Sequence, residues 1–95
     1  MLQALMRRKI PGMQIKLKLF ATLTDYLPTG AVKNEIALAV DERTTIDQLI
    51  DRFNLPRSLV HLVLINGVYI YPDERLGKTF VNGDVLAIWP PIAGG

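Results

Sequence analysis

Hydrophobic and polar positions alternate over residues 14–20, QIKLKLF, with Ile15, Leu17 and Leu19 on one side and Gln14, Lys16 and Lys18 on the other. A period of two is that of a half-buried strand, so the first strand is expected here. A polar connection with Asp25, Pro28, Thr29 and Gly30 follows, with room for one helical turn around Leu23 to Leu27. Alternation returns from Asn34 to Val40, where Ile36, Leu38 and Val40 form the core side. The period then changes: Ile46, Leu49, Ile50 and Phe53 recur at i, i+3, i+4 and i+7, one stripe of an amphipathic helix. Thr44-Thr45-Ile46-Asp47 has the spacing of an acidic capping box, which predicts Thr44 as the cap and Asp47 in the first turn. Asn54 and Pro56 are expected to end the helix.

Beyond a connector from Pro56 to His61, Leu62 to Ile65 is a dense apolar run, Asn66-Gly67 is a strong hairpin signal, and Val68 to Tyr71 returns. Pro72-Asp73-Glu74-Arg75 and Asn82-Gly83-Asp84 read as turns, and Val85 to Trp89 as the last strand. The order is β-β-α-β-β, a turn-rich stretch, and a final β. This predicts an α+β roll, a mixed sheet of about five strands with one main helix packed on one face. Because the helix covers only one face, the last strand must divide its side chains. Leu86 and Ile88 are assigned to the core, which leaves Ala87 and Trp89 outward. Trp89, at the edge of the open face, is a candidate anchor for a partner, unless it folds over the sheet edge as a satellite cluster.

Composition narrows the chemistry. A chain of 95 residues suits one small domain, and no apolar run approaches the ~20 residues that span a bilayer. The opening MLQALMRRKIPG has its charges after a short apolar stretch and lacks a secretory cleavage pattern, so a cytoplasmic location is the default expectation. The net charge is +2, but Arg7, Arg8 and Lys9 supply three of the eleven basic residues. From Met13 onward eight basic residues face nine acidic ones, a net −1, so a phosphate-binding face is not indicated. Residues 1–12 are expected to be a flexible extension, and residues 13–95 the domain with an extended tail over 90–95.

The chain has no cysteine, which removes disulfides, zinc–thiolate sites and thiol nucleophiles. His61 is the single histidine and has no HExxH or clustered Asp/His context, so it reads as structural and no metal is expected. Asp41-Glu42 and Asp73-Glu74 resemble acid/base pairs, but each is adjacent in sequence and lies in a predicted turn, where nothing apolar raises a pKa.

The remaining signal is the ending, Ile88-Trp89-Pro90-Pro91-Ile92-Ala93-Gly94-Gly95. Two prolines lack amide donors and hold an extended exit, so the tail is expected to project from the sheet at Pro90. Gly94 and Gly95 have no Cβ and can pass through a channel too narrow for side chains. Asn82-Gly83-Asp84, the strand Val85 to Trp89 and this ending together resemble the ubiquitin-like sulfur carriers of the MoaD/ThiS type, especially the small subunit of molybdopterin synthase. The resemblance spans Met13 to Gly95; its terminal motif is specific, and the rest is pattern-level.

The resemblance implies a β-grasp fold and a noncatalytic carrier with no bound cofactor. An adenylating enzyme of the ubiquitin-activating type (MoeB/ThiF-like) would join the Gly95 carboxylate to AMP from ATP. A persulfide sulfur donor would then displace AMP and leave a thiocarboxylate. Gly94, Ala93, Ile92, Pro91 and Pro90 would be the inserted tail. Trp89 and Ala87 would contact the activating enzyme and the large synthase subunit (MoaE-like). Three rivals remain: the same chemistry serving thiazole, tRNA thiolation or a tungsten-pterin pathway; a protein modifier joined through Gly95 to lysines; and a β-grasp interaction module, touching RNA through Arg7, Arg8 and Lys9.

Overall fold

The alternation at the start of the chain sets the layering seen in the computed structural model, which describes residues 12–91. Strand β1, Met13–Leu19, buries Ile15, Leu17 and Leu19 on one side. It pairs antiparallel with β2, Glu35–Val40, in the register Ile15 opposite Leu38 and Leu17 opposite Ile36. Between them Ala21–Tyr26 forms a 3-10 helix whose Leu23 is fully buried.

The helix α1, Ile46–Arg52, follows β2 and buries Ile46, Leu49 and Ile50 against the sheet. Covering three such side chains contributes about 5–9 kcal/mol before the entropy of ordering them is subtracted. Phe53, expected in the stripe, is the C-cap residue and packs half-buried against the core.

The cap is one residue later than predicted. Thr45, not Thr44, accepts from the Gln48 amide at 3.1 Å, and the Gln48 side chain returns to the Thr45 amide at 3.1 Å. Thr44 is occupied elsewhere: its hydroxyl accepts from the Asp41 amide at 3.3 Å and donates to the Asp41 carboxylate at 3.2 Å, closing the turn before the helix. The amides of Ile46 and Asp47, which no intrahelical carbonyl can reach, donate to the carbonyls of Lys78 and Arg75. The start of α1 is thereby stitched to the turn-rich stretch. At its other end Asn54 takes a left-handed φ of 56°, and the Leu55 amide returns to the Ile50 carbonyl at 3.0 Å.

Strands β3, Leu62–Ile65, and β4, Val68–Tyr69, form the expected hairpin, with φ positive at both Asn66 and Gly67 as a tight primed turn requires. The returning strand is shorter than the Val68 to Tyr71 expected, because Pro72 opens a 3-10 turn, Pro72–Glu74, and its nitrogen has no hydrogen to give a ladder. Strand β5, Val85–Trp89, closes the sheet in the order β2-β1-β5-β3-β4. It runs parallel to β1 and antiparallel to β3. The last strand therefore lies at the centre, beside the first.

The turn before β5 anchors it. Gly83, at φ 91°, donates to the Gln14 carbonyl at 2.7 Å, and Asn82 accepts from the Gln14 amide at 2.8 Å. Asp84 is buried, yet its carboxylate accepts from Val81 N and Asn66 Nδ2, both at 2.9 Å, so burial leaves it satisfied. No helix among the described residues is long and apolar enough to cross a membrane.

Candidate functional site

With a period of two and fixed registers, the residues on the sheet face opposite α1 follow directly. From β2 inward they are Ala37 and Ala39, then Lys16 and Lys18, then Val85, Ala87 and Trp89, then Leu62 and Leu64, and last Tyr69. The face has two halves of different character. On the β2 side Glu35 takes Lys16 at 3.2 Å and Lys18 at 3.8 Å. Both lysines are solvent-exposed to a large degree, so these pairs orient side chains more than they stabilise the fold. On the β3 side the face is apolar, with Val85, Trp89, Leu62 and Leu64 half-buried and Tyr69 exposed.

Trp89 is not a free-standing anchor. Its indole stacks on Phe20, with ring centroids 4.0 Å apart and planes 5° from parallel. The Phe20 amide donates to the Ile88 carbonyl at 3.2 Å, which holds the two rings at one end of the sheet. Ala87 is 8% exposed, sitting between its neighbours Lys18 on β1 and Leu64 on β3. A methyl flanked by longer side chains is the floor of this face, and a partner would meet it only by seating between them.

The strand ends at Trp89, as expected, and the first tail residue is still covered. Pro90 is buried and Pro91 is the first exposed residue after β5. The Trp89 carbonyl still accepts from His61 N at 3.1 Å, so the chain remains docked through Trp89. Ile92, Ala93, Gly94 and Gly95, with Arg7, Arg8 and Lys9, lie outside the described residues.

Sequence reasoning passed over several residues of this face. Phe20 continues the polar-side series 14, 16, 18 of β1, and that phase was the signal that could have placed it beside Trp89. Tyr69 and Tyr71 were assigned only to a returning strand; their rings meet edge to face at 4.9 Å. The acidic pairs lie in exposed turns. Asp41 there has its carboxyl held below the usual range by the Arg43 amide and the Thr44 hydroxyl.

A five-stranded mixed sheet with one helix across one face and an open, half-apolar face on the other is a β-grasp domain of the ubiquitin-like class. Within that class the chain belongs to the Mut7-C ubiquitin family, whose model matches residues 12–93. Among solved structures it is similar to small archaeal modifier protein 1 from Haloferax volcanii, with 26% identity over 86% of this chain and 99% of that chain and a TM-score of 0.60. The same modifier from Methanosarcina acetivorans matches at 26% identity over 90% of this chain and 99% of that chain, TM-score 0.59. A putative molybdopterin converting factor, subunit 1, from Pyrococcus furiosus matches at 20% identity over 84% and 99%, TM-score 0.59, a likeness of fold. The comparison with curated proteins returns no match.

Proposed function

We propose that this chain is a ubiquitin-like carrier whose Gly95 carboxylate is adenylated by a ubiquitin-activating-type enzyme and loaded with sulfur. A carboxylate resists attack at neutral pH because it is anionic and resonance-stabilised. Transfer of AMP from ATP, with loss of pyrophosphate, turns it into a mixed anhydride with a leaving group. The terminal sulfur of a donor persulfide then attacks the acyl carbon and expels AMP. A thiol of the donor cleaves the resulting acyl disulfide, leaving a thiocarboxylate on Gly95 and a disulfide on the donor.

The sulfur would pass to a pterin during molybdopterin formation, with this chain as small subunit beside a large catalytic subunit. The observation that carries the reading is the end of the chain: a last strand fixed at the sheet centre, an exposed Pro91 after it, and then the sequence Ile-Ala-Gly-Gly. The half-apolar open face next to that exit suits a partner that must hold the body while the tail enters a site. A second reading has a specific observation in its favour. The likeness to small archaeal modifier proteins at 26% identity favours conjugation of the same activated carboxylate to a lysine amine.

Intact-mass measurement after incubation with an activating enzyme, ATP and a persulfide donor tests both. Exchange of one oxygen for sulfur supports the carrier, and conjugates to lysine support the modifier. An unchanged mass with each activating enzyme tried, the fold being intact, counts against both.

A further inference from the structure

A cleft of about 380 Å³ opens at the β4 edge of the sheet, between α1, which contributes Asp47 and Ile50, and the hairpin, which contributes Tyr69. Ile50, Val60 and Pro72 are its apolar walls, and Arg57, His61, Tyr69 and Arg75 its polar lining, with Asp47 at the rim. Its size falls in the range of pockets that hold small ligands or a side chain or two of a partner.

The two arginines differ. Arg57 is exposed and committed: it pairs with Asp47 and Asp51, which lie one turn apart on α1, and the two carboxylates hold its guanidinium firmly protonated. Arg75 is only 7% exposed and makes no ion pair among the described residues. Its Nε donates to the Ile70 carbonyl at 3.0 Å, and its Nη2 lies 3.4 Å from the His61 carbonyl and 3.5 Å from the Tyr69 hydroxyl. The guanidinium also lies 5.9 Å from the centroid of the Tyr69 ring. Nη1 has no partner among the described residues. Every fully buried side-chain nitrogen or oxygen there has one, so Nη1 is where the guanidinium still meets solvent.

A buried guanidinium held by neutral carbonyls and lacking a counter-ion is a charge removed from water with incomplete compensation. Sequences that need only a filled position have Met or Leu available at lower cost. From this we infer that the cleft is a binding site for a carboxylate, which accepts from Arg75 Nη1 with the Tyr69 and His61 side chains beside it and an apolar group of the ligand against Ile50, Val60 and Pro72. A monoanion fits better than a phosphate. Arg75 offers one uncompensated positive charge, while Asp47 at the rim and Asp51 a turn along α1 share the single Arg57 cation, and the net negative charge they leave repels a second one on the ligand. The carboxylate belongs either to a free small molecule or to an acidic side chain of a partner protein. This assignment is independent of the chemistry at Gly95.

Titration of the isotopically labelled full chain by NMR tests it, with benzoate for a free carboxylate, an N-acetyl Phe-Asp dipeptide amide for an acidic side chain, inorganic phosphate, and benzamide as the neutral isostere. Saturable shifts at His61, Tyr69 and the Arg75 side-chain NH signals are expected with benzoate or the dipeptide, and the tighter of the two identifies the source. Benzamide and the Arg75→Gln variant should each weaken binding by at least about tenfold. The wild-type Arg75 NH shifts report the contact directly should Arg75→Gln fail to fold. Equal binding of benzamide and benzoate, tighter binding of phosphate, or no saturable shift at these residues overturns the assignment.

Discussion

Phe20 and Trp89, at the ends of two parallel strands, stack face to face with 4.0 Å between their centroids. An aromatic pair of this kind contributes ~0.5–1.5 kcal/mol beyond the area it buries. A double-mutant cycle of Phe20→Ala and Trp89→Ala, measured by urea unfolding, should return a coupling energy in that range of about 1 kcal/mol. Additive losses would mean that the rings touch without supporting each other. The stack also makes Trp89→Ala a change to stability as well as to a docking surface. Leu64→Ser, also on the open face, is therefore the cleaner probe of partner binding, and it should weaken capture by an activating enzyme.

The helix cap separates two adjacent threonines. Thr45→Ala should lower stability by about 1 kcal/mol, because both halves of the capping box go with it. Thr44→Ala should cost less, about half a kcal/mol, since it loses only a bond in an exposed turn. Equilibrium unfolding of the two variants side by side decides between them; a larger loss for Thr44→Ala would overturn the assignment of the cap.

Asp84 anchors the final strand from inside. Its removal in Asp84→Ala leaves the Val81 amide and the Asn66 side chain, both part-buried where they meet it, short of an acceptor, at a cost of about 1–3 kcal/mol. Asp84→Asn keeps one acceptor and should recover part of this. Thermal unfolding of both variants measures the difference, and a loss no greater than that of a surface alanine would remove Asp84 from this role.

The Asp41 carboxyl lies below its ordinary 3.8 when folded, chiefly through the Arg43 amide and then the Thr44 hydroxyl. A carboxyl depressed by folding adds stability above its unfolded pKa and loses it as pH falls through the folded one. Its contribution is therefore present at neutral pH and disappears below pH 3.8. A carboxyl-carbon NMR titration should place its midpoint under 3.8 in the native chain and closer to that value in Thr44→Ala. An equal midpoint in both would show that the hydroxyl has no part in it.

Deleting Gly94 and Gly95 should leave the melting temperature unchanged while abolishing loading by an activating enzyme. A clear fall in melting temperature would show that these residues pack against the domain, contrary to the presented end we propose.

The sheet was legible because its signal is periodic. Ile15, Leu17 and Leu19, like Leu86 and Ile88, announce a buried side by position alone, and the structure buries each of them. Errors arose where neighbours compete for one role. Thr44 and Thr45 are both chemically able to cap, and what decides is the prior claim of Asp41 on the first hydroxyl. Ala87 lies on the outward face, as parity predicts, but parity says nothing about the length of the flanking side chains, and Lys18 and Leu64 make it a floor. Arg75 left no trace at all. A single arginine in a turn carries no period, and its burial follows from the path of the chain between Ile70 and Lys78, which only the folded form reveals.

The central position of β5 has a consequence for a chain emerging from a ribosome. Its two neighbours, β1 and β3, are made well before it, and in the folded sheet they meet only through it, so the sheet stays incomplete until the segment up to Trp89 has been made. Nascent fragments that lack this strand therefore cannot imitate the finished sheet.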